Sequence, residues 1–220
     1  MSGTMKTMKM SLLSSLGHVR RQISNLVHDC RGVAATEFAM IVPIMLVLFF
    51  GTVELGSAIA IKRKLTLVVH AASDLASQSL DSLKTTDMQN VFAASGAIML
   101  PYSLTPLTTT VSEIFIDNNK IAKIQWSQSA TAAMVGGSPA ATLQPSPRKP
   151  KDTVTVPAGL LIPNTWLIWS EVSYTYTPIV GYVLKTNLTM KDEAYTRPRQ
   201  SLCVDYPPPA SSSSSCTPVS

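Results

Sequence analysis

Hydrophobic positions fall into three regimes along the chain. From Phe38 to Ile61 they run together, FAMIVPIMLVLFFGTVELGSAIAI. From Leu65 to Leu83 they recur at helical spacing: Leu65, Val68, Val69, Ala72, Leu75, Ala76, Leu80 and Leu83 line one side, opposite Thr66, His70, Ser73, Asp74 and Ser77. From Thr108 onward they alternate, in β-branched runs bounded by turn signals. The first regime predicts a helix of about 36 Å without a polar stripe from Phe38 to Phe50, enough to cross a bilayer. The second continues it as an amphipathic helix, and the third predicts strands. The expected fold class is therefore α+β: a single transmembrane helix running into an amphipathic helix, which packs on a small antiparallel-sheet domain.

Punctuation refines this outline. Asp87 is the expected N-cap of a second helix, Met88–Leu100, stopped by Pro101. Thr108–Ile116 and Ile121–Ser127 read as a hairpin about the Asp117-Asn118-Asn119 turn, with Ala122, Ile124 and Trp126 on one face. Residues 134–153 read as a long loop with a solvated basic cluster, Arg148, Lys149 and Lys151. The strongest strand is Trp166–Thr177, with Trp166, Ile168, Val172, Tyr174 and Tyr176 on one face. A short turn or helical segment, 179–184, leads to a last strand, Asn187–Thr196. The chain thus divides into a basic leader (1–32), a membrane helix (33–61), a folded domain (62–206) and a Pro/Ser-rich tail (207–220).

Charge bears on topology more than on chemistry. The net charge is +5, and Lys6, Lys9, Arg20, Arg21 and Arg31 precede the apolar run, so the N-terminus is expected to stay in the cytoplasm. Lys62-Arg63-Lys64, just beyond the run, argues the other way. This distribution gives no reason to expect nucleic acid as a partner. Of three cysteines, Cys30 lies in the leader, leaving Cys203 and Cys216 as a pair. A bridge between them would close a loop of about 14 residues, stabilise by about 3 kcal/mol and need an oxidising compartment; the alternative is two free thiols in a frayed tail. The histidines, His18, His28 and His70, all lie upstream of the strands. Beyond them there is no Cys-x-x-Cys, phosphate loop or Gly-x-Ser-x-Gly, and Glu113, Asp117, Glu171, Asp192 and Glu193 are scattered. The expectation is a non-enzyme with no catalytic residues, cofactor or metal.

Four residues of the apolar run stand out. Gly32 and Glu37 precede or open it, Pro43 interrupts it, and Glu54 sits inside it. A carboxylate at the centre of a span costs about 2.5–3.5 kcal/mol, so each acid needs a partner or a route to the interface. Gly32 and Glu37 admit two readings. One is a loop glycine followed by an acid favoured by the helix dipole. The other is a cleavage site: Gly32 lies extended in a protease cleft, and Glu37 neutralises the amine freed at Val33.

The second reading carries a resemblance. A Gly followed at the fifth position by Glu, opening an uninterrupted apolar helix, looks like the processing site of type IV pilins and pseudopilins. The run RGVAATEFAMIVPIMLVLFFGTVELG, the helix LTLVVHAASDLASQ and the distal segments EVSYTYTP and AYTRPR closely resemble the TadE-like family. These are pilin-like proteins of the Tad (tight-adherence, Flp) pilus assembly system. The resemblance covers roughly residues 31–200, more weakly through 130–158. It implies a single-pass protein of the bacterial inner membrane, N-terminus cytoplasmic and C-terminal domain periplasmic. It implies cleavage between Gly32 and Val33 by a prepilin peptidase, pairing of Glu37 with the new amine, and Glu54 as an intramembrane polar residue. The implied partners are that peptidase, other pilin and pseudopilin subunits, the inner-membrane platform and the lipid bilayer. The implied role is a minor pseudopilin in pilus biogenesis and surface adhesion; the alternative is an uncleaved bitopic envelope scaffold with no filament role.

Overall fold

A computed structural model describes residues 31–80, 82–178, 186–208 and 216–219. The leader before Arg31, Cys30 with it, the 179–184 segment and the serine run lie outside the described residues. The chain divides between Gly51 and Thr52 into two units.

Helix α1 runs from Arg31 to Ser77 with Pro43 inside it. In the first unit its apolar side chains are exposed all round, Phe38 at 70% and Met40 at 76%. Such a surface is far larger than a soluble monomer leaves in water.

The second unit is an α+β head. Helix α2, Thr85–Ala97, folds back beside α1. Its N-cap is Lys84 rather than Asp87, which sits at N3 and accepts a hydrogen bond from the Lys84 backbone N–H at 3.4 Å. The strands are β1 (Leu107–Ile116), β2 (Ala122–Val135), β3 (Ser138–Gln144), β4 (Thr153–Val154), β5 (Thr165–Tyr176) and β6 (Leu188–Thr196). They form one antiparallel sheet in the order β3-β2-β1-β5-β6, with β4 paired to the start of β2.

The helices cover one face of this sheet. Leu65, Val68 and Val69 pack with Leu107, Val172, Tyr174 and Met190, while Ala72 and Ala76 pack with Met88, Phe92, Val111 and Ile168. Each such large apolar side chain stabilises the fold by about 1.5–3 kcal/mol. Leu75 and Leu80, expected on the buried side, are exposed; Ser73 and Ser77 are buried in their place. Ser73 Oγ donates to Thr196 Oγ1 on the edge strand at 2.7 Å, so the helix makes a polar contact with β6 there.

Two sequence expectations are corrected. Residues 138–144 are strand, not loop: Gly136 and Gly137, with φ of +59° and +84°, make a two-residue turn that pairs Val135 with Ser138. Trp126 does not share a face with Ala122 and Ile124. The register shifts between Glu113↔Trp126 and Ile114↔Ile124, leaving Gln125 as a bulge. Trp126 therefore joins the helix-side core, whereas Ala122 and Ile124 join Ile114, Ile116, Leu167 and Trp169 in a second core on the opposite face. Val156, Leu160 and Leu161, from the segment around a 3-10 turn at Ala158–Leu160, cover that second core.

Candidate functional site

The residues singled out in the sequence distribute over three places. Gly32 lies in the first turn of α1, where an added Cβ would meet nothing within 4 Å. Packing therefore gives no reason for a glycine there, and the helix would be about 1 kcal/mol better with alanine. Val33 and Glu37 are four residues apart, hence neighbours on one helix face, and both are exposed. Thr36 Oγ1 donates to the Val33 carbonyl at 2.8 Å. Glu37 lies beyond the first turn, where the helix dipole has faded, so capping does not account for it.

Glu54 belongs to the head. It is only 2% exposed, although α1 here has lipid-like residues on its open side. Burial first, and then the Glu54 charge, raise the Tyr176 phenol above its ordinary value, which places that carboxylate beside the end of β5. Ala58 and Ile61 are buried in the same cluster as Tyr176. The segment expected to be membrane helix up to Ile61 is thus sheltered by the sheet on one side from Glu54 onward.

The basic trio has structural work. Lys62 Nζ donates to the Lys191 carbonyl at 2.7 Å and pairs with Asp192 at 3.2 Å. Lys64 Nζ donates to the carbonyls of Ile98 and Leu100, both at 2.7 Å, at the C-terminal end of α2. A cation there completes orphan carbonyls and complements the helix dipole. Two lysines beyond the apolar run are therefore held by partners inside the head.

The third place is the C-terminal strap. Cys203 and Cys216 are joined by a disulfide. Next to it, Val204 N–H donates to Glu113 Oε1 at 2.7 Å, and Trp126 Nε1–H donates to Glu113 Oε2 at 3.1 Å and to the Val204 carbonyl at 2.5 Å. Glu113 is buried on the helix side of β1. Burial raises its carboxyl, the Val204 N–H pulls it down, and the nearby Asp205 charge raises it again, to about 8. Sequence reading missed this residue: its only mark is an acid between Ser112 and Ile114 in a strand otherwise short of charge.

On the face of the sheet away from the helices lies an open groove of about 710 Å³. Thr110 and Ser129 line its floor, sharing a hydrogen bond at 2.6 Å, and Arg148 forks onto Glu171 at 2.7 and 3.1 Å. Arg148 also stacks on Trp169 at 4.6 Å, so it is held in place rather than solvated. The Arg148–Glu171 pair is suited to fixing the 145–148 segment against the sheet. Among the described residues no group of His, Cys, Asp and Glu is placed to hold a metal.

Residues 32–74 match the family model described as TadE-like protein. The match covers all of α1 except its ends, including Gly32, Val33, Glu37, Pro43 and Glu54. No curated protein and no solved structure matches the chain.

Proposed function

Taking residues 32–74 as a TadE-like segment, we propose that the protein is a minor pseudopilin or assembly protein of the Tad (Flp) pilus. The observation that carries this reading is a long, exposed apolar helix that opens on a glycine with no packing role and places Glu37 one turn from Val33. In this reading a prepilin peptidase cuts after Gly32 at the cytoplasmic face of the inner membrane. The Val33 amine is then neutralised by Glu37, of the same or an adjoining subunit, at the edge of a low-dielectric layer where such a pair counts for more than in water. The head stands in the periplasm, where a disulfide persists. Lys62 and Lys64, the charges that spoke against this orientation, have a reason to lie on that side because the head uses both. The span packs beside other pilin helices on the inner-membrane platform, and the subunit supports pilus biogenesis and hence adhesion.

The test is the mass of the chain from cells with and without the prepilin peptidase. Loss of residues 1–32 only when the peptidase is present, abolished by Gly32→Leu, is the expected result. Because an added side chain at Gly32 meets nothing in the fold, that variant reports on cleavage alone. An unchanged mass under all conditions would instead favour the uncleaved envelope scaffold.

A further inference from the structure

The head has a polarity along its strands that bilayer anchoring does not require. β1 runs from Leu107, beside the Ala58–Leu65 stretch of α1, to Ile116 at the far end; β2 returns from Ala122. The far end carries Asp117, Lys120, Lys123, Lys149, Lys151 and Asp152. The near end adjoins Lys62, Arg63 and Lys64 of α1 and carries Lys191 and Asp192 of β6, but its β2–β3 hairpin is uncharged. No Asp, Glu, Lys or Arg occurs between Ser129 and Pro147. The β2–β3 hairpin projects past the start of β1, since the pairs from Ala132↔Ala141 to Val135↔Ser138 have no β1 partner. At its tip Met134 and Val135 are exposed, at 47% and 64%. Leu188, across from Tyr176 at the same end of β5 and β6, is exposed as well.

The length of the span says what meets this end. A hydrocarbon layer of about 30 Å takes up about 20 helical residues. Counted from Phe38, it reaches about Ser57, which is beyond Glu54, where the head already covers one side of α1. On the open side α1 stays apolar and exposed through Val53, Leu55 and Ile59. From Val53 to Ile61 the helix thus has one side buried in the head and an apolar side left exposed.

We propose that the near end of the sheet is a lipid-contacting surface: the β2–β3 hairpin inserts Met134 and Val135 into the outer interface of the bilayer that α1 crosses, with Leu188 as a second contact. This rests on the anchoring reading of α1. Its turn suits the task, because Gly136 and Gly137 add no charged side chain beside Met134 and Val135. Glu54, buried in the head, is kept from lipid in the same arrangement.

The experiment uses the full chain in vesicles of phosphatidylethanolamine and phosphatidylglycerol, in a Cys30→Ser background. A fluorophore is attached at Val135→Cys, at Leu46→Cys as the anchor control, or at Lys120→Cys at the far end. Lipids brominated on their tails quench from within the bilayer, and iodide quenches from water. The expected result is loss of fluorescence to brominated lipid at positions 46 and 135, with position 120 quenched only by iodide. If position 46 is quenched by lipid while 135 is quenched by iodide, the hairpin stands in water and the proposal is overturned with anchoring intact. If 135 is shielded from both quenchers, it is covered by protein, a second copy or a neighbour, and the proposal is equally overturned. If position 46 is not quenched by lipid, the anchoring itself fails and the proposal falls with it.

Discussion

At the scale of single residues, the strap is held by one carboxyl whose proton matters. The unfolded chain gives up the Glu113 proton near 4.5, while the folded chain holds it to about 8. Between those values folding takes up a proton, so the contribution is fully present below 4.5 and drains as the pH rises towards 8, by at most about 1.4 kcal/mol per pH unit. The melting temperature of the detergent-solubilised protein is expected to fall from pH 5 to pH 8, and Glu113→Gln to flatten that fall. Parallel curves for the two proteins would show that another group titrates. The disulfide acts on the same strap. Cys203→Ser with Cys216→Ser opens a loop of 13 residues' separation, and the expected loss is about 3 kcal/mol in chemical unfolding. The disulfide and its loop were legible in the sequence; the Glu113 effect was not. The cysteine pair showed in the count, but Glu113 looked like any other acid because the bulge at Gln125, which turns Trp126 towards it, leaves no mark in the sequence.

At the scale of elements, legibility followed the strength of the periodic signal. α1 was readable because its apolar run is long enough to outweigh Pro43 and Glu54 within it, and its outer half because Leu65, Val68, Val69 and Ala72 keep the helical interval through burial. β5 is buried on both faces from Trp166 to Ser170 and alternates only beyond, yet its β-branched and aromatic run placed it within a residue at either end. β3 was hidden: Pro139 and the small residues Ala140 and Ala141 resemble a loop, though the Gly136-Gly137 pair is a hairpin signal in its own right. Proline is tolerated there because β3 is the last strand of the order. Gly137→Val forces a branched side chain to φ near +84°, and about 1–2 kcal/mol of stability is expected to be lost; loss of the same size at Gly159→Val, where φ is not positive, would refute the turn argument. The two-lysine fastening of α1 could not be read from the sequence either, because its acceptors lie far along the chain at Lys191, Ile98 and Leu100. Lys64→Met is expected to cost about 1 kcal/mol by uncapping α2, measured as a lower denaturant midpoint, with no change in processing after Gly32.

At the scale of the whole molecule, an exposed apolar helix long enough to cross a bilayer forms the first unit, and Glu54, Ala58 and Ile61 are buried within the second. The TadE-like match to residues 32–74 covers both the exposed apolar stretch and the part of α1 that the sheet packs upon. What the head then does depends on which side of the membrane it occupies, and this is the claim from which processing, the disulfide and filament assembly all follow. Protease added to intact spheroplasts measures it most directly. The account predicts that residues of the head are digested while a cytoplasmic marker survives, leaving a fragment that contains the apolar part of α1. A head that stays intact until the membrane is broken would contradict it.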